Sequence, residues 1–329
     1  MKNENYYVYS NGILGVKSNI KDFKWIYGSV SPYVSREDYQ RCEVKFEINL
    51  KPERELPAVV DYDKKFQSYY WQERAKTLSC RRTLFGKISI GYDITINDGS
   101  VTVEMGSNYY KLVKKRVMNL HGVYYLLSDL ANIMLLNKGY VTLYASALHN
   151  SAKKRGIVCF APPGIGKTVT ATKLCEIDEY SLVGEDVVLF KDGVIFACPY
   201  TASYRGRKTF LDSSGALGRT KKASIDKVSH FANVTDIFLL VNGNPRGIED
   251  KETVLSQIAL LNGYLFNYLC SPIVKILGYF NPEFLKNWDS YAVEKIKKLV
   301  DECEFSTLYS RDPLKFSELI HNKITGEIK

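Results

Sequence analysis

From Cys42 to Leu50, the apolar residues Val44, Phe46, Ile48 and Leu50 alternate with Lys45, Glu47 and Asn49. This is the period-two signature of a strand with one buried face. Strand-like stretches at 87–96 and 100–105 flank Asn97-Asp98-Gly99, a strong short-range hairpin signal. Shorter strands are predicted at 6–9 and 23–27. From Tyr110 to Asn137 the period lengthens. Leu120, Val123, Leu126, Leu127, Leu130, Ile133 and Leu136 predict a long helix ending at Asn137-Lys138-Gly139, with the glycine as C-cap. Its apolar stripe reads as core packing. The second half alternates predicted strands (140–148, 156–161, 182–190, 194–198, 236–241) with predicted helices (167–177, 251–269, 283–303, 313–323). Asp312-Pro313 provides an N-cap and a first-turn proline for the last helix. The pattern therefore predicts an α/β (α+β) chain in three parts: a β-rich domain over 1–110, a bridging helix over 111–138 and an α/β domain over 139–329.

With 329 residues, 45% of them hydrophobic and 25% charged, the chain has enough core for two domains and is not low-complexity or disordered. No run of about 18 uncharged apolar residues occurs; the best candidate, 264–280, is interrupted by Asn267, Pro272 and Lys275. The start, Met1-Lys2-Asn3-Glu4-Asn5, lacks a signal-peptide pattern. Seven cysteines form an odd, scattered set without a Cys-x-x-Cys pair, the usage of reduced thiols. The expectation is a cytoplasmic protein with no membrane partner. The net charge of +9 favours anionic partners, and residues 201–230 concentrate it, with seven cations against two anions. No RNA-recognition motif, zinc finger or basic zipper accompanies that charge, so nucleic acid is not the expected partner.

The chemistry concentrates at Ala161-Pro-Pro-Gly-Ile-Gly-Lys-Thr168, an instance of [G/A]-x-x-x-x-G-K-[S/T] between a predicted strand and a predicted helix. Gly164 and Gly166 allow backbone angles that turn successive N–H groups toward phosphate oxygens. The following helix adds its positive end and unpaired amides. Pro163, Gly164, Ile165, Gly166, Lys167, Thr168 and Val169 are thus the candidate nucleotide-binding residues. Lys167 would reach the β- and γ-phosphates, and the Thr168 hydroxyl would ligate Mg²⁺. Glu185 and Asp186 interrupt an otherwise apolar strand, where adjacent carboxylates are costly to bury without a cation. One carboxylate would hold the metal and the other would accept the proton of an attacking hydroxyl. Arg205, Arg207 and Lys208 follow that strand as candidate clamps for a phosphate or an acidic substrate.

Taken together, Tyr144-Ala-Ser-Ala-Leu-His149, Ala161–Thr168, Glu185-Asp186, and Pro199 with Arg205-Gly206 resemble the HPr kinase/phosphorylase superfamily. The nearer likeness is to its bacterial HPr-kinase-like serine kinases, which include lasso-peptide kinases. It covers about 138–210 clearly and reaches more faintly to Ile320; the first 110 residues carry no family signal. The resemblance implies a PEP-carboxykinase-like P-loop core with a mixed sheet, and phosphoryl transfer from ATP with Mg²⁺ to a hydroxyl, usually of serine. It places the catalytic set on Lys167, Glu185, Asp186 and Arg205, and the metal on Thr168 and Asp186. Two positions depart from the pattern. Tyr144 stands where many relatives have histidine, with His149 as a nearby substitute, and Glu185 is one methylene longer than the aspartate it replaces.

Three readings compete. In the first, the chain is a kinase whose acceptor is a peptide or small protein, ahead of a small metabolite, with the β-rich half offering a docking surface and a homo-oligomer left open. In the second, it is a non-catalytic module in which ATP orders the basic 201–230 segment. In the third, it is an NTPase acting on nucleic acid, favoured only by charge.

Overall fold

The computed structural model describes residues 4–21, 34–114, 123–185, 187–197, 227–244, 250–269, 272–285 and 288–326. The predicted strand at 23–27, Asp186, Arg205 and most of the basic segment lie outside these residues. The chain forms two compact units: one takes in the described residues up to Gly139 together with Phe266–Ser290, the other Tyr140–Leu265 and Tyr291–Lys329. Each contains a mixed sheet. Among the described residues no helix is long and apolar enough to cross a membrane.

In the first unit, the sheet order is β1 (Asn5–Tyr9), β2 (Leu14–Ser18), β3 (Val44–Lys51), β8 (Ser100–Gly106), β7 (Ile88–Asn97), β6 (Thr77–Leu84), β5 (Tyr69–Gln72) and β4 (Lys64–Phe66). β3 runs parallel to both β2 and β8, and the remaining pairs are antiparallel. Strand alternation sorts the side chains by face. Val44, Phe46, Ile48, Leu78, Ile94, Val101 and Val103 are buried, each contributing about 1.5–3 kcal/mol through removal from water. The alternate positions carry polar pairs: Lys17–Glu47 at 3.0 Å, Arg81–Asp93 at 2.7 Å and Thr77–Thr95 at 2.9 Å. The helices are α1 (Arg36–Arg41), α2 (Ser107–Lys114), α3 (Val123–Asn137) and α6 (Pro272–Phe280). Trp71 on β5 stacks on Phe280 of α6, with centroids 6.5 Å apart and planes at 13°.

In the second unit, the order is β12 (Tyr180–Gly184), β10 (Ser146–Asn150), β11 (Arg155–Phe160), β15 (Phe231–Val241), β14 (Val194–Phe196), β13 (Val188–Lys191) and β9 (Val141–Leu143), with β16 (Glu304–Tyr309) also along β15. β11, β15 and β16 are mutually parallel. β10 is antiparallel to both β11 and β12, so β12 points the same way as β11. The helices are α4 (Lys167–Cys175), α5 (Lys251–Leu269, its residues up to Leu265 belonging here), α7 (Trp288–Glu302, its residues from Tyr291 belonging here) and α8 (Pro313–Thr325). α4 and α8 bury Ala171, Leu174, Phe316, Ile320 and Ile324 against Leu148, Ile157, Cys159, Leu182 and Phe238. Asp312 caps α8 by accepting from the Leu314 N–H at 3.0 Å.

Two predicted strands prove to be pairs. The 140–148 run breaks at Tyr144-Ala145, between β9 and β10, and the 182–190 run breaks at Glu185, between β12 and β13. Both runs are apolar because they are buried on both faces, and a run buried throughout has no period that marks a bend. The helix predicted from Tyr110 to Asn137 is described as α2 and α3, with 115–122 outside the described residues. The five described cysteines, Cys42, Cys80, Cys159, Cys175 and Cys303, are free thiols.

Arg155, at the start of β11, lies 3.3 Å from Asp236, midway along β15, and 3.1 Å from Glu304 at the start of β16. Asp236 is 1% exposed and accepts from the Thr235 hydroxyl at 2.6 Å. Replacing Arg155 with alanine strands a buried carboxylate, so Arg155→Ala is expected to lower unfolding free energy by about 2–4 kcal/mol at pH 7 in chemical denaturation. Burial raises the Asp236 carboxyl above its ordinary value of 3.8. The stability carried by this group is therefore greatest below that value and declines as pH rises through the folded-state value. Asp236→Asn should remove this decline from the pH profile of stability.

Candidate functional site

The strand directions of the second unit bring several chain segments to one sheet edge. β11, β12, β15 and β16 all end there, and β10 begins there. In a mixed sheet, the carboxyl ends of its mutually parallel strands are where ligands find unpaired backbone and side chains held at a fixed height.

β11 leaves the sheet through Ala161 and turns at once into α4. The turn is closed by the Ile165 N–H donating to the Pro162 carbonyl at 3.4 Å, and α4 begins with the Thr170 N–H donating to the Gly166 carbonyl at 2.8 Å. Gly164 and Gly166 have φ of +84° and +119°, values that side chains resist. Their surroundings differ. A Cβ at Gly164 would meet nothing within 4 Å, whereas one at Gly166 would lie 2.6 Å from the Pro313 Cβ at the start of α8. Gly164 thus faces open space, and Gly166 is where α4 and α8 approach each other. Thr168 and Val169 are exposed on the first turn of α4, whose leading amides have no partners within the helix.

Lys167 folds back over this turn. Its side chain is 5% exposed, its Nζ donates to the Ala161 carbonyl at 2.8 Å and it sits 4.0 Å from the centroid of the Tyr144 ring. The ammonium is therefore held over the turn by the loop's own carbonyl and by the face of an aromatic ring. Beneath it on β11, burial pushes the Cys159 thiol up to about 12, so that thiol stays protonated and unreactive.

Glu185 lies at the same edge, immediately beyond β12. A Cβ on Gly184 would lie 2.8 Å from the Val187 carbonyl oxygen, so a side chain there would collide with the segment that follows. Glu185, just past the end of β12, is 7% exposed, and its carbonyl accepts from the buried Ser146 hydroxyl at the start of β10. Ser146 in turn pairs with Cys159 on β11, so Glu185 stands two strands from the strand that feeds the turn. Asp186, Arg205 and Gly206 lie outside the described residues.

One expectation is corrected. His149 is not a substitute for a histidine beside Glu185. It pairs with Ser181 at the other end of β12, four residues from Glu185, or roughly 13 Å along a strand. The ring beside Lys167 is that of Tyr144, which the sequence marks only as a departure from a family pattern. Two further contributors went unnoticed there. Pro313 was read only as a helix start, although it closes against Gly166. Asn262 falls only within the predicted helix 251–269, although its single amide lies within apolar 258–266.

No family model matches the chain, and no curated protein matches it. Among solved structures, the HPr(Ser) kinase/phosphatase from Coxiella burnetii matches at 19% identity with a TM-score of 0.24, over 33% of this chain and 70% of that one. A likeness of that size carries no argument about this chain.

The two glycines make a graded test of the turn. Gly164→Ala meets only the backbone penalty of its positive φ, about 1 kcal/mol, whereas Gly166→Ala adds a collision with Pro313, for a total of about 2–4 kcal/mol. Thermal unfolding should rank Gly166→Ala clearly below Gly164→Ala; equal losses would mean that α4 and α8 do not meet as described.

Proposed function

We propose that this protein is an ATP-dependent phosphotransferase that moves the γ-phosphoryl group to a hydroxyl, that of a serine in a peptide or small protein. The observation that carries the reading is Lys167, buried and folded back over a glycine turn whose Gly164 faces open space. A buried ammonium over a glycine turn that leads into a helix N-terminus is suited to a polyphosphate, which it can neutralise without crossing solvent.

The turn would hold the phosphates through the amides of Gly164, Gly166, Lys167, Thr168 and Val169, while that of Ile165 closes the turn on the Pro162 carbonyl. Lys167 would neutralise the β- and γ-phosphate oxygens. The exposed Thr168 hydroxyl and the Asp186 carboxylate fit a magnesium ion, which takes one or two protein oxygens and completes its shell with phosphate and water. Bound with ATP, that ion spreads the charge of the transferring group. Glu185, at the same sheet edge, would accept the proton of the attacking hydroxyl, and Arg205 would steady the phosphoryl oxygens. The preference for a peptide acceptor rests on the resemblance to HPr-kinase-like serine kinases, and a small-molecule acceptor is the nearest alternative.

The burial of Glu185 favours a second reading, because a general base must reach its substrate. In that reading the protein binds ATP without transferring phosphate and acts as a regulatory module.

Incubation with γ-labelled ATP and an extract of the source cells, followed by mass identification of the labelled product, tests the first reading. Lys167→Ala should lower phosphoryl transfer by roughly 10²–10³-fold, the usual scale for removing one charge-stabilising donor. Asp186→Asn should abolish transfer while ATP still binds. Wild-type protein that binds ATP but labels nothing, with biological function intact in Asp186→Asn, would establish the regulatory module instead.

A further inference from the structure

We infer that Asn262 and Tyr144 form a two-step positioning device for Lys167, an arrangement that rests on the nucleotide-binding reading above and deepens it. Tyr144 and Asn262 would set where the ammonium sits before any phosphate arrives.

Asn262 lies in the interior of α5, where asparagine is a poor helix former and its primary amide is costly to bury unpaired. It is 3% exposed, and both ends of its amide are used. Oδ1 accepts from the Tyr144 N–H at 2.8 Å, and Nδ2 donates to the Thr142 carbonyl at 3.0 Å. Bonds to the carbonyl of one residue and the N–H of the residue two further on are those a parallel neighbouring strand would make. A side chain therefore does a strand's work at the place where β9 gives way to β10. The bend that results turns the Tyr144 ring under the Lys167 ammonium at 4.0 Å. A cation over an aromatic face in a desolvated place is attracted by the ring's quadrupole. The ring thus keeps the ammonium over the turn instead of letting it extend into water, and ordering a long, flexible side chain in advance spares that entropy at binding. Asn262 acts through Tyr144, and Tyr144 acts through Lys167. Both are positioning residues.

Equilibrium titration of the full chain with ATP and, separately, with adenosine tests the device, with folding of every variant checked by circular dichroism. Tyr144→Leu should weaken ATP binding by roughly threefold to thirtyfold, the span of a cation–aromatic contact, and leave adenosine within about twofold. Tyr144→Phe retains the ring and should match the wild type. Asn262→Leu should shift ATP in the same direction as Tyr144→Leu. In a Lys167→Met background, Tyr144→Leu should have no further effect on ATP. Equal weakening of ATP and adenosine, or an undiminished effect in the Lys167→Met background, would show that Tyr144 merely supports the fold and would overturn the inference. If Asn262→Leu fails to fold, the Tyr144 and Lys167 variants decide the matter. Wild-type protein that binds neither ligand would overturn the nucleotide reading along with the device, whereas wild-type binding without the ring dependence overturns the device alone.

Discussion

The approach of Gly166 to Pro313 is the constraint on which the second unit's site depends. α4 and α8 bury their apolar stripes on the same sheet face, through Ala171 and Leu174 on one and Phe316, Ile320 and Ile324 on the other. Two helices packed that closely must bring their first residues together when they start at the same sheet edge. Only a residue without a side chain fits between them, and its φ of +119° is one that glycine adopts freely. The core packing therefore dictates the shape of the turn, and the turn dictates where Lys167 begins.

The cost of burying charge organises what surrounds that turn. A nearly buried ammonium loses its water shell and needs compensation from fixed dipoles or anions. Lys167 has the Ala161 carbonyl and the Tyr144 ring. At the opposite end of the same strands, Asp236 is treated in the same way, with Arg155 and the Thr235 hydroxyl facing it. The end of the sheet that holds the buried ammonium also holds the buried Glu185, and the other end holds a buried carboxylate faced by a cation from the neighbouring strand. The Arg155–Asp236–Glu304 group ties β11, β15 and β16 together, and these are three of the strands whose far ends define the site.

The first unit follows a simpler rule. Its sheet has one face of Val, Ile, Leu and Phe and another of paired ions and threonines, the division expected when one face packs on helices and the other meets water. Its strands β4, β5 and β6 escaped the sequence reading for a physical reason. β4 has three exposed residues, and β6 carries Arg81 and Arg82 in succession, so neither shows clean alternation. The hairpin at Asn97-Asp98-Gly99 was legible because turn chemistry is local.

Local chemistry is what the sequence determined by itself: the glycine-rich turn before a helix, the Asp312 cap, the span Lys251–Leu269, and the strand alternation at 44–50. Each of these is settled by residues within a few positions of one another, through backbone angles, capping and periodicity. The tertiary structure alone decided that apolar runs bend at Tyr144 and Glu185, that His149 points its strand position away from Glu185, and that Asn262 reaches across 118 residues to hold Tyr144. These outcomes depend on which strands become neighbours and in what register, and that choice is made by burying the whole sheet at once, which no short window of residues records.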